Sequence, residues 1–217
     1  PSGYAGSGKT YPLHLHFHGA GGDLYGTDHK FPFTDVVDTP DRQFIFATWV
    51  KGKFNLAAIL HYLIRHYPID KDHIWLSGHS TGAYTVLDDP CALPTTPAVE
   101  GIIVMNSPFI PGCPSSKHLF IISGSYDFVP FFSYQSSQSL FNRTKEQLLC
   151  KQEALLTMAF ENYPYEVRRH AAFDCSDGKE VHLYTILGET HNPRLSRNFI
   201  NNIMGEVFRV SGLGATA

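Results

Sequence analysis

Residues 73–87 read HIWLSGHSTGAYTVL, and they are the most informative segment of the sequence for its architecture. It opens with a short apolar run, His73–Leu76, which is typical of a buried strand. The pentapeptide GHSTG follows at 78–82, and a helical segment then reaches to about Leu87. Glycines two positions before and two after a serine permit a sharp strand-to-helix turn that lifts the hydroxyl clear of a sheet. The pattern predicts Ser80 as a nucleophile, and the alternative is a plain glycine-rich turn in a nucleotide-binding fold.

Short apolar runs alternate with helix-period segments along the chain, which predicts βαβ units and a mostly parallel sheet. The predicted strands are Leu13–Phe17, Gln43–Val50, His73–Leu76, Gly101–Met105, Leu119–Ile122 and Val181–Leu187. The predicted helices are Phe54–His66, the segment from the pentapeptide to Leu87, Lys145–Phe160 and Arg194–Val210. A chain of 217 residues fits one compact domain, so we expect a single domain over residues 1–217.

A serine hydroxyl is a weak nucleophile and needs an imidazole base that is itself held by a carboxylate. Asp127 follows the predicted strand Leu119–Ile122, and His191 follows the predicted strand Val181–Leu187. Their order along the chain and their places at strand ends indicate that Asp127 is the acid and His191 the base. Other candidates in less suitable positions are the carboxylates Asp174 and Asp177 and the imidazoles His170 and His182.

A glycine-rich stretch, HGAGG at 18–22, follows the first predicted strand. Acyl transfer places negative charge on a carbonyl oxygen, and preset backbone N–H groups stabilise that charge. We expect one such oxyanion-hole N–H from Thr81, directly after the serine, and the other from Ala20. The alternative is a plain glycine-rich turn. His18 would then position this loop rather than react.

These features together resemble the α/β-hydrolase superfamily, over about residues 11–195. Within it the chain is similar to polyhydroxybutyrate depolymerases, feruloyl esterases and acetyl esterases. The matching features are HGAGG at 18–22, YPID at 67–70, HIWLSGHS at 73–80, the turn at 124–130 and His191. The resemblance implies an α/β-hydrolase fold, with a mostly parallel, doubly wound sheet flanked by helices, and serine esterase activity. Compared with the full fold, we expect the first two strands to be missing, which would leave Leu13–Phe17 near an edge.

The expected reaction is hydrolysis of a carboxylic ester through an acyl-enzyme, which requires no cofactor and no metal. Aromatic residues near the predicted strand ends are expected to line an apolar substrate pocket: Phe109, Phe128, Phe131, Phe132 and Tyr134. No long insertion follows the sixth strand of the full fold, which favours an open cleft and a small or polymer-borne ester. The same residues suit a thioesterase, a lipase or a peptidase, and a non-catalytic ligand-binding protein of this fold is the remaining alternative.

The composition argues against several other classes of protein. With 43% hydrophobic and 17% charged residues the chain is an ordinary globular protein. A net charge of −3 offers no footprint for nucleic acid, and no run approaches the ~20 apolar residues of a membrane span. Because the chain begins at Pro1 without an initiator Met, we expect a processed or trimmed product.

Cysteine usage bears on the compartment. The chain has four cysteines, which allow three different disulfide pairings. They are Cys91, Cys113, Cys150 and Cys175. Together with the glycosylation triplet NRT at 142–144, they favour a secreted or extracytoplasmic setting. The sequence leaves the pairing and the oligomeric state open.

Two further patterns have less support. Residues 3–10 match the phosphate-loop motif G-x-x-x-x-G-K-T, but such a loop must follow a buried strand and open a helix, whereas an extended run follows here. His14, His16 and His18 alternate, so they share one face of a strand. That spacing is similar to the H-x-H metal pair of amidohydrolase barrels, but polar packing beneath a loop is the favoured interpretation.

Overall fold

Apolar segments from along the chain meet in one eight-stranded sheet in the computed structural model, which describes residues 8–22, 33, 38–39, 42–49, 55–92, 99–108 and 117–213. The strands are β1 (Tyr11–Phe17), β2 (Asp38–Thr39), β3 (Arg42–Gln43), β4 (Ile45–Trp49), β5 (Ile69–His79), β6 (Val99–Met105), β7 (His118–Gly124), β8 (Gln152–Met158), β9 (Val167–Phe173) and β10 (Val181–Ile186). The helices are α1 (Leu56–His66), α2 (Thr81–Ala92), α3 (Tyr134–Gln147) and α4 (Arg197–Val210), with a 3-10 turn at Ser176–Gly178. The two short strands β2 and β3 form a separate pair.

The strand order of the sheet is β4-β1-β5-β6-β7-β10-β9-β8. All neighbours from β4 to β10 run parallel, whereas β9 and β8 add an antiparallel hairpin beyond β10. The prediction of a mostly parallel sheet is therefore confirmed. β1 lies one strand in from the β4 end of the described sheet. Because parallel strands end at the same edge, the loops after β1, β5, β6, β7 and β10 gather there.

Helices cover both faces of the sheet, as predicted. Alternate residues of a strand point to opposite faces, so Leu76 joins one core and its neighbour Trp75 joins the other. The first core takes Leu60 from α1, Val86 from α2 and Phe141 from α3. The second is filled by six buried apolar side chains of α4. Of the helices within the described ranges, none is both long and apolar enough to cross a membrane.

The predicted helix Lys145–Phe160 is wrong. The helix in this region, α3, begins earlier, after Ser133, whose hydroxyl accepts from the backbone N–H of Ser136 as a typical N-cap. It ends at Gln147, and the next regular element is strand β8. The residues of β8, QEALLTM, favour a helix by intrinsic propensity, so sequence reasoning extended the helix through them.

Backbone geometry and strand pairing override that propensity. Leu149 has a φ of +53°, a left-handed conformation that ends a helix. β8 then pairs along its whole length with β9, a strand that sequence reasoning missed. A disulfide between Cys150 and Cys175 joins the chain just before β8 to the chain just after β9. The side chains of Cys91 and Cys113 lie outside the described part of the structure.

The other predicted elements are present with shifted ends. The strand predicted at His73–Leu76 extends over the eleven residues of β5, and the strand predicted at Gln43–Val50 is divided between β3 and β4. The GKT run at 8–10 leads into β1, where Tyr11 donates its backbone N–H to the carbonyl of Pro68 at 2.8 Å. The element after this run is therefore a strand, whereas a phosphate loop requires a helix.

Candidate active site

The chain turns sharply between β5 and α2. Ser80 has a backbone φ of +54°, a region that L-residues seldom adopt and that often marks a functional constraint. A Cβ on Gly78 would lie 2.3 Å from the carbonyl carbon of Gly82, and a Cβ on Gly82 would lie 2.1 Å from the carbonyl oxygen of Phe17. Only glycine fits at these two positions, so a crowded and fixed backbone presents the serine at the carboxyl edge of the sheet.

Three side chains from three loops form a hydrogen-bonded line. His191 Nε2 lies 2.9 Å from Ser80 Oγ, and His191 Nδ1 lies 2.9 Å from Asp127 Oδ2. The three residues follow β5, β7 and β10, each at the carboxyl end of its strand. Because a carboxylate only accepts, the imidazole donates through Nδ1 and its Nε2 is left to accept from the serine hydroxyl. The arrangement is able to take a proton from Ser80.

The line runs from the interior to the surface. Asp127 is only 1% exposed, and its second oxygen, Oδ1, accepts from the backbone N–H of Val129 at 3.1 Å. The backbone N–H of Asp127 donates to the carbonyl of Gly124 at 3.1 Å, which closes the turn after β7. A buried carboxylate requires such partners. The side chain of His191 is 17% exposed, so the basic end of the line is reachable from solvent.

The glycine-rich loop after β1 packs directly against the serine. A Cβ on Gly19 would lie only 3.2 Å from the Cβ of Ser80. Gly22 donates its N–H to the carbonyl of Gly19 at 3.0 Å, which closes a turn that contains Ala20. Thr81 is the first residue of α2, so its backbone N–H has no acceptor within the helix. Ala20 and Thr81 therefore lie on the two segments that flank Ser80.

Two of the aromatic residues predicted to contact substrate lie inside the site. Phe132 is edge-on to the imidazole of His191, with ring centroids 5.9 Å apart. Tyr134 is the first residue of α3, and its hydroxyl lies 3.2 Å from Oγ1 of Thr185. Phe132 therefore offers an apolar surface beside the imidazole, while Tyr134 is tied to β10.

Two other aromatic residues of that set lie on the protein surface. Phe128 is 79% exposed and Phe131 is 83% exposed. The ring of Phe128 stacks on Tyr126, with centroids 6.3 Å apart. Neither Phe128 nor Phe131 therefore lines an enclosed pocket. Phe109 lies outside the described residues.

The competing acids and bases are engaged elsewhere. His170 Nε2 lies 2.6 Å from a carboxylate oxygen of Glu153, and His182 Nε2 lies 2.8 Å from a carboxylate oxygen of Glu180. The two competing carboxylates lie in the 174–177 turn, which leads into the amino end of β10. The hydrogen-bonded line lies at the carboxyl ends of the strands, so Asp174, Asp177 and His182, which are near the amino end of β10, lie at the other end of the sheet.

The alternating histidines of β1 lie in the core. His14 Nε2 and His16 Nδ1 each lie 2.7 Å from the hydroxyl of Ser77, which can donate to one ring and accept from the other. The ring of His14 packs edge-on against Phe33, at 4.7 Å between centroids. Burial lowers the pKa of His14 to about 3 and holds the pKa of His16 well below its usual value. These contacts support polar packing, and no metal-binding group of three His, Cys, Asp or Glu side chains occurs in the described ranges.

Two polar residues that sequence reasoning did not single out contact the backbone of His191. His79 Nε2 lies 2.8 Å from the His191 carbonyl oxygen, and Asn106 Nδ2 donates to the same oxygen. Asn106 directly follows the apolar run of β6, so a polar residue at a strand end was the available signal. His79 occupies a variable position of the G-x-S-x-G pattern, which carries no signal of its own.

Comparison with known proteins gives matches to solved structures. No protein-family model matches the sequence, and neither does any curated protein. Esterase PE8 matches with a TM-score of 0.61 and 13% identity over 94% of each chain. A thermostable esterase matches with a TM-score of 0.56 and 15% identity, covering 95% of this chain and 56% of that one. A puromycin-hydrolyzing peptidase from Mycobacterium tuberculosis matches with a TM-score of 0.55 and 11% identity, covering 97% of this chain and 35% of that one.

The strand order, the helices on both faces and these likenesses define the class: the chain has the α/β-hydrolase fold, as predicted. The three structures named above are those of two esterases and a peptidase. At 11–15% identity such a likeness establishes the fold, so the chemistry has to be argued from the site.

Proposed function

We propose that this protein is a serine hydrolase that cleaves carboxylic esters through an acyl-enzyme. Ser80 is the nucleophile, His191 is the general base, and Asp127 orients the imidazole. The observation that carries the proposal is the line of hydrogen bonds from Ser80 to Asp127, with steps of 2.9 Å, on a serine held at a φ of +54°. This backbone is the one expected of a nucleophile elbow. The chemistry needs neither a metal nor an organic cofactor.

In the proposed reaction His191 transfers protons in both the acylation and the deacylation step. The Ser80 hydroxyl gives its proton to His191 Nε2 as Oγ bonds to the carbonyl carbon of the ester. The buried carboxylate of Asp127 stabilises the imidazolium through Nδ1. The imidazolium then protonates the leaving alcohol oxygen as the C–O bond breaks, which leaves an acyl group on Ser80. A water molecule, deprotonated by His191, attacks that group and releases the carboxylic acid and the serine.

The backbone N–H groups of Ala20 and Thr81 are proposed to form the oxyanion hole. Both residues lie on segments that flank Ser80, and the close approach of Gly19 to the serine keeps the first segment near the reacting centre. Fixed backbone donors stabilise the developing charge without reorganising during the reaction. The N–H of Thr81 also lies at the positive end of the α2 dipole, which favours an anion there.

The substrate is proposed to be an accessible ester, either small or borne on a polymer. Phe132 lies beside His191 and supplies an apolar contact for the acyl or alcohol group. Phe128 and Phe131, which are exposed, and Tyr134 are proposed to extend this apolar surface. Phe109 is also proposed to line the substrate pocket, as the sequence predicts.

Probe labelling and hydrolysis of p-nitrophenyl acetate test the proposal. We expect the parent protein to react with a fluorophosphonate probe and to hydrolyse the ester. Replacing the nucleophile with Ser80→Ala should abolish labelling and lower kcat by about 10⁴-fold or more. Ser139→Ala is the matched control, since Ser139 is an exposed serine of α3. Hydrolysis by Ser80→Ala at the parent rate would overturn the mechanism.

The same groups serve other acyl bonds. The likeness to a puromycin-hydrolyzing peptidase is a specific reason to include amides among the substrates tested. Values of kcat/KM for a short ester, a long-chain ester, a thioester and a peptide anilide rank these possibilities directly. A kcat/KM highest for the peptide anilide makes the protein a peptidase, whereas lack of probe labelling makes it a non-catalytic binding protein.

A further inference from the structure

The end of β6 carries a buried asparagine that no step of the proposed reaction uses. Asn106 is 0% exposed and has a φ of +48°, a left-handed conformation that Asn tolerates better than most side chains. Its backbone N–H donates to the carbonyl of Ile122 at 2.8 Å, which continues the pairing of β6 with β7. The sheet therefore fixes the position of this side chain.

The carboxamide of Asn106 joins the loop that carries the acid to the loop that carries the base. Its Oδ1 accepts from the backbone N–H of Gly124 at 3.2 Å, and Gly124 opens the turn that ends at Asp127. Its Nδ2 donates to the carbonyl of Thr190 at 3.1 Å and to the carbonyl of His191. The orientation of the carboxamide follows from chemistry, because a backbone N–H only donates and a carbonyl only accepts.

His79 supplies a second donor to the His191 carbonyl. The distance from His79 Nε2 to that oxygen is 2.8 Å, and the two imidazole rings lie 5.2 Å apart. Since a carbonyl cannot donate, His79 carries a proton on Nε2. A Cβ on Gly19 would lie 2.9 Å from His79 Nδ1, so the ring is packed between the loop after β1 and the loop after β10.

The loop that carries Asp127 and the loop that carries His191 pack closely, which explains why the side chain of Asn106 can link them. A Cβ on Gly124 would lie 2.3 Å from the carbonyl oxygen of Glu189, so the acid loop and the base loop touch through their backbones. Buried backbone carbonyls need donors, and Asn106 and His79 provide them for Thr190 and His191.

We propose that Asn106 and His79 are positioning residues that hold the imidazole of His191 in line with Ser80 and Asp127. Neither side chain touches the reacting atoms in this scheme, because both act through the main-chain carbonyl of His191. The inference rests on the proposed function. A displacement of the imidazole by about 1 Å is enough to cost about 10²-fold in rate, so a modest loosening of this loop is measurable.

Four substitutions separate donor loss from loss of shape. Asn106→Asp keeps the volume and the acceptor for Gly124 but removes both donors. Asn106→Gly tolerates the left-handed backbone and removes the carboxamide altogether. His79→Gln keeps an N–H donor at similar reach, whereas His79→Leu removes it. Ser211→Ala is the control, because it breaks buried hydrogen bonds with Trp75 and Glu100 at the far end of the sheet.

Steady-state hydrolysis of p-nitrophenyl acetate gives the first readout, at a temperature well below the Tm of every variant. We expect both Asn106 variants to lose about 30-fold or more in kcat, with KM changed by less than about threefold. His79→Leu should lose about tenfold in kcat, and His79→Gln should recover most of that loss. Ser211→Ala should lower Tm without lowering kcat, which separates positioning from general stability.

Hydrogen exchange of the peptide that contains residues 188–193 gives a second readout that needs no activity. Exchange should be at least about tenfold faster in Asn106→Gly than in Ser211→Ala. Unchanged exchange in Asn106→Gly, or a kcat within about threefold of the parent, overturns the positioning role while Ser80-dependent hydrolysis still stands. If the parent protein shows no Ser80-dependent hydrolysis, the proposed function fails, and the exchange result still decides whether Asn106 holds the loop.

Discussion

Glycines at 19, 78 and 82 determine how closely the Ser80 turn packs against its neighbours. Each lies where a Cβ would come within 3.3 Å of another residue, and at Gly78 and Gly82 the obstacle is backbone, which cannot move aside. The strained φ of Ser80 is therefore supported from both sides. The geometry of the proposed site therefore depends on having no side chain at each of these three glycines.

Gly82→Ala tests this dependence. The added Cβ would meet the carbonyl oxygen of Phe17 at 2.1 Å, so we expect the free energy of unfolding to fall by about 3 kcal/mol, together with loss of esterase activity. Urea denaturation measures the first effect. Gly212→Ala is the comparison variant: its φ of +66° should make the alanine cost about 1 kcal/mol, but no atom lies within 4 Å of the added Cβ, so its loss of stability should be clearly smaller. Equal stability of the two variants would contradict the crowding argument.

The acid of the proposed site gives a second residue-scale prediction. Asp127→Asn keeps the size of the side chain but presents an amide to His191 Nδ1, which favours the wrong imidazole tautomer. We expect kcat to fall by about 10³–10⁴-fold with KM little changed. Steady-state kinetics measure the split. Asp174→Asn, at the other end of the sheet, should keep the parent kcat, and a similar loss in that variant would reopen the choice of acid.

The hairpin of β8 and β9 is the element that departs most from expectation. Its strands pair from Gln152 with Phe173 to Met158 with Val167, and the disulfide closes its base. A disulfide persists in an oxidising compartment, and the secreted or extracytoplasmic setting that the sequence favours stays a prediction. Because the hairpin lies at the far edge of the sheet from β1, its loss should not disturb the Ser80 turn.

Replacing both cysteines, Cys150→Ser with Cys175→Ser, tests the contribution of the disulfide. The bond spans 25 residues, and a loop of that size implies a stabilisation of about 3 kcal/mol through the unfolded chain. Urea denaturation of the parent and the double variant, without reductant, measures the difference. We expect kcat of the variant to match the parent, and a large loss of kcat would show that the hairpin does support the site.

How much of the molecule the sequence predicts varies from element to element. Strands such as β6 and β7 are short apolar runs rich in isoleucine and bounded by turn residues, a pattern typical of buried strands, so they are predicted from sequence, and the end of β7 locates Asp127. β8 is different, because its helix-forming residues become a strand through pairing with β9, which is a contact between distant segments. The contacts of Asn106 arise in the same way, from three loops that meet only after folding. The catalytic roles of the three residues in the line stay a prediction.

A network of charged side chains joins α4 to the described sheet. Glu180 accepts from His182 and Arg209, and Glu206 accepts from Arg169 and Arg209, which ties α4 to the sheet. Burial opposes ionisation of Glu180, yet its hydrogen bonds to His182 and Arg209 prevail and hold its pKa down to about 2. A carboxylate with a depressed pKa stabilises the fold above its unfolded pKa and loses that effect as the pH falls towards 2.

Buried histidines make the whole fold sensitive to mild acid. Burial lowers the pKa of His14 to about 3 and is the main cause that lowers the pKa of His118 to about 4. Between these values and 6.5 the unfolded chain takes up protons that the folded chain does not, so stability falls as the pH falls. Each group contributes up to about 1.4 kcal/mol per pH unit.

Urea denaturation at a series of pH values between 7 and 4.5 measures this effect. We expect the free energy of unfolding to decline steadily below about pH 6.5. His118→Gln should reduce the slope of the free energy of unfolding against pH by up to about 1.4 kcal/mol per pH unit, the contribution of one proton. His61→Gln, at an exposed position of α1, is the control and should leave the slope unchanged. A stability that stays flat down to pH 4.5 would contradict the assignment of neutral, buried histidines.

The contact between Gly82 and the Phe17 carbonyl makes the turn at the reactive serine depend on β1, a strand that is distant from it in sequence. That strand reaches its partner only by spanning more than fifty residues of chain, whereas the turn itself is local in sequence. Recovery of hydrolysis during refolding should therefore lag behind the formation of local structure, because it requires β1 and the loops that carry Asp127 and His191 to have docked. Fluorescence or far-UV circular dichroism signals that recover before hydrolysis does would show that the rest of the sheet forms first.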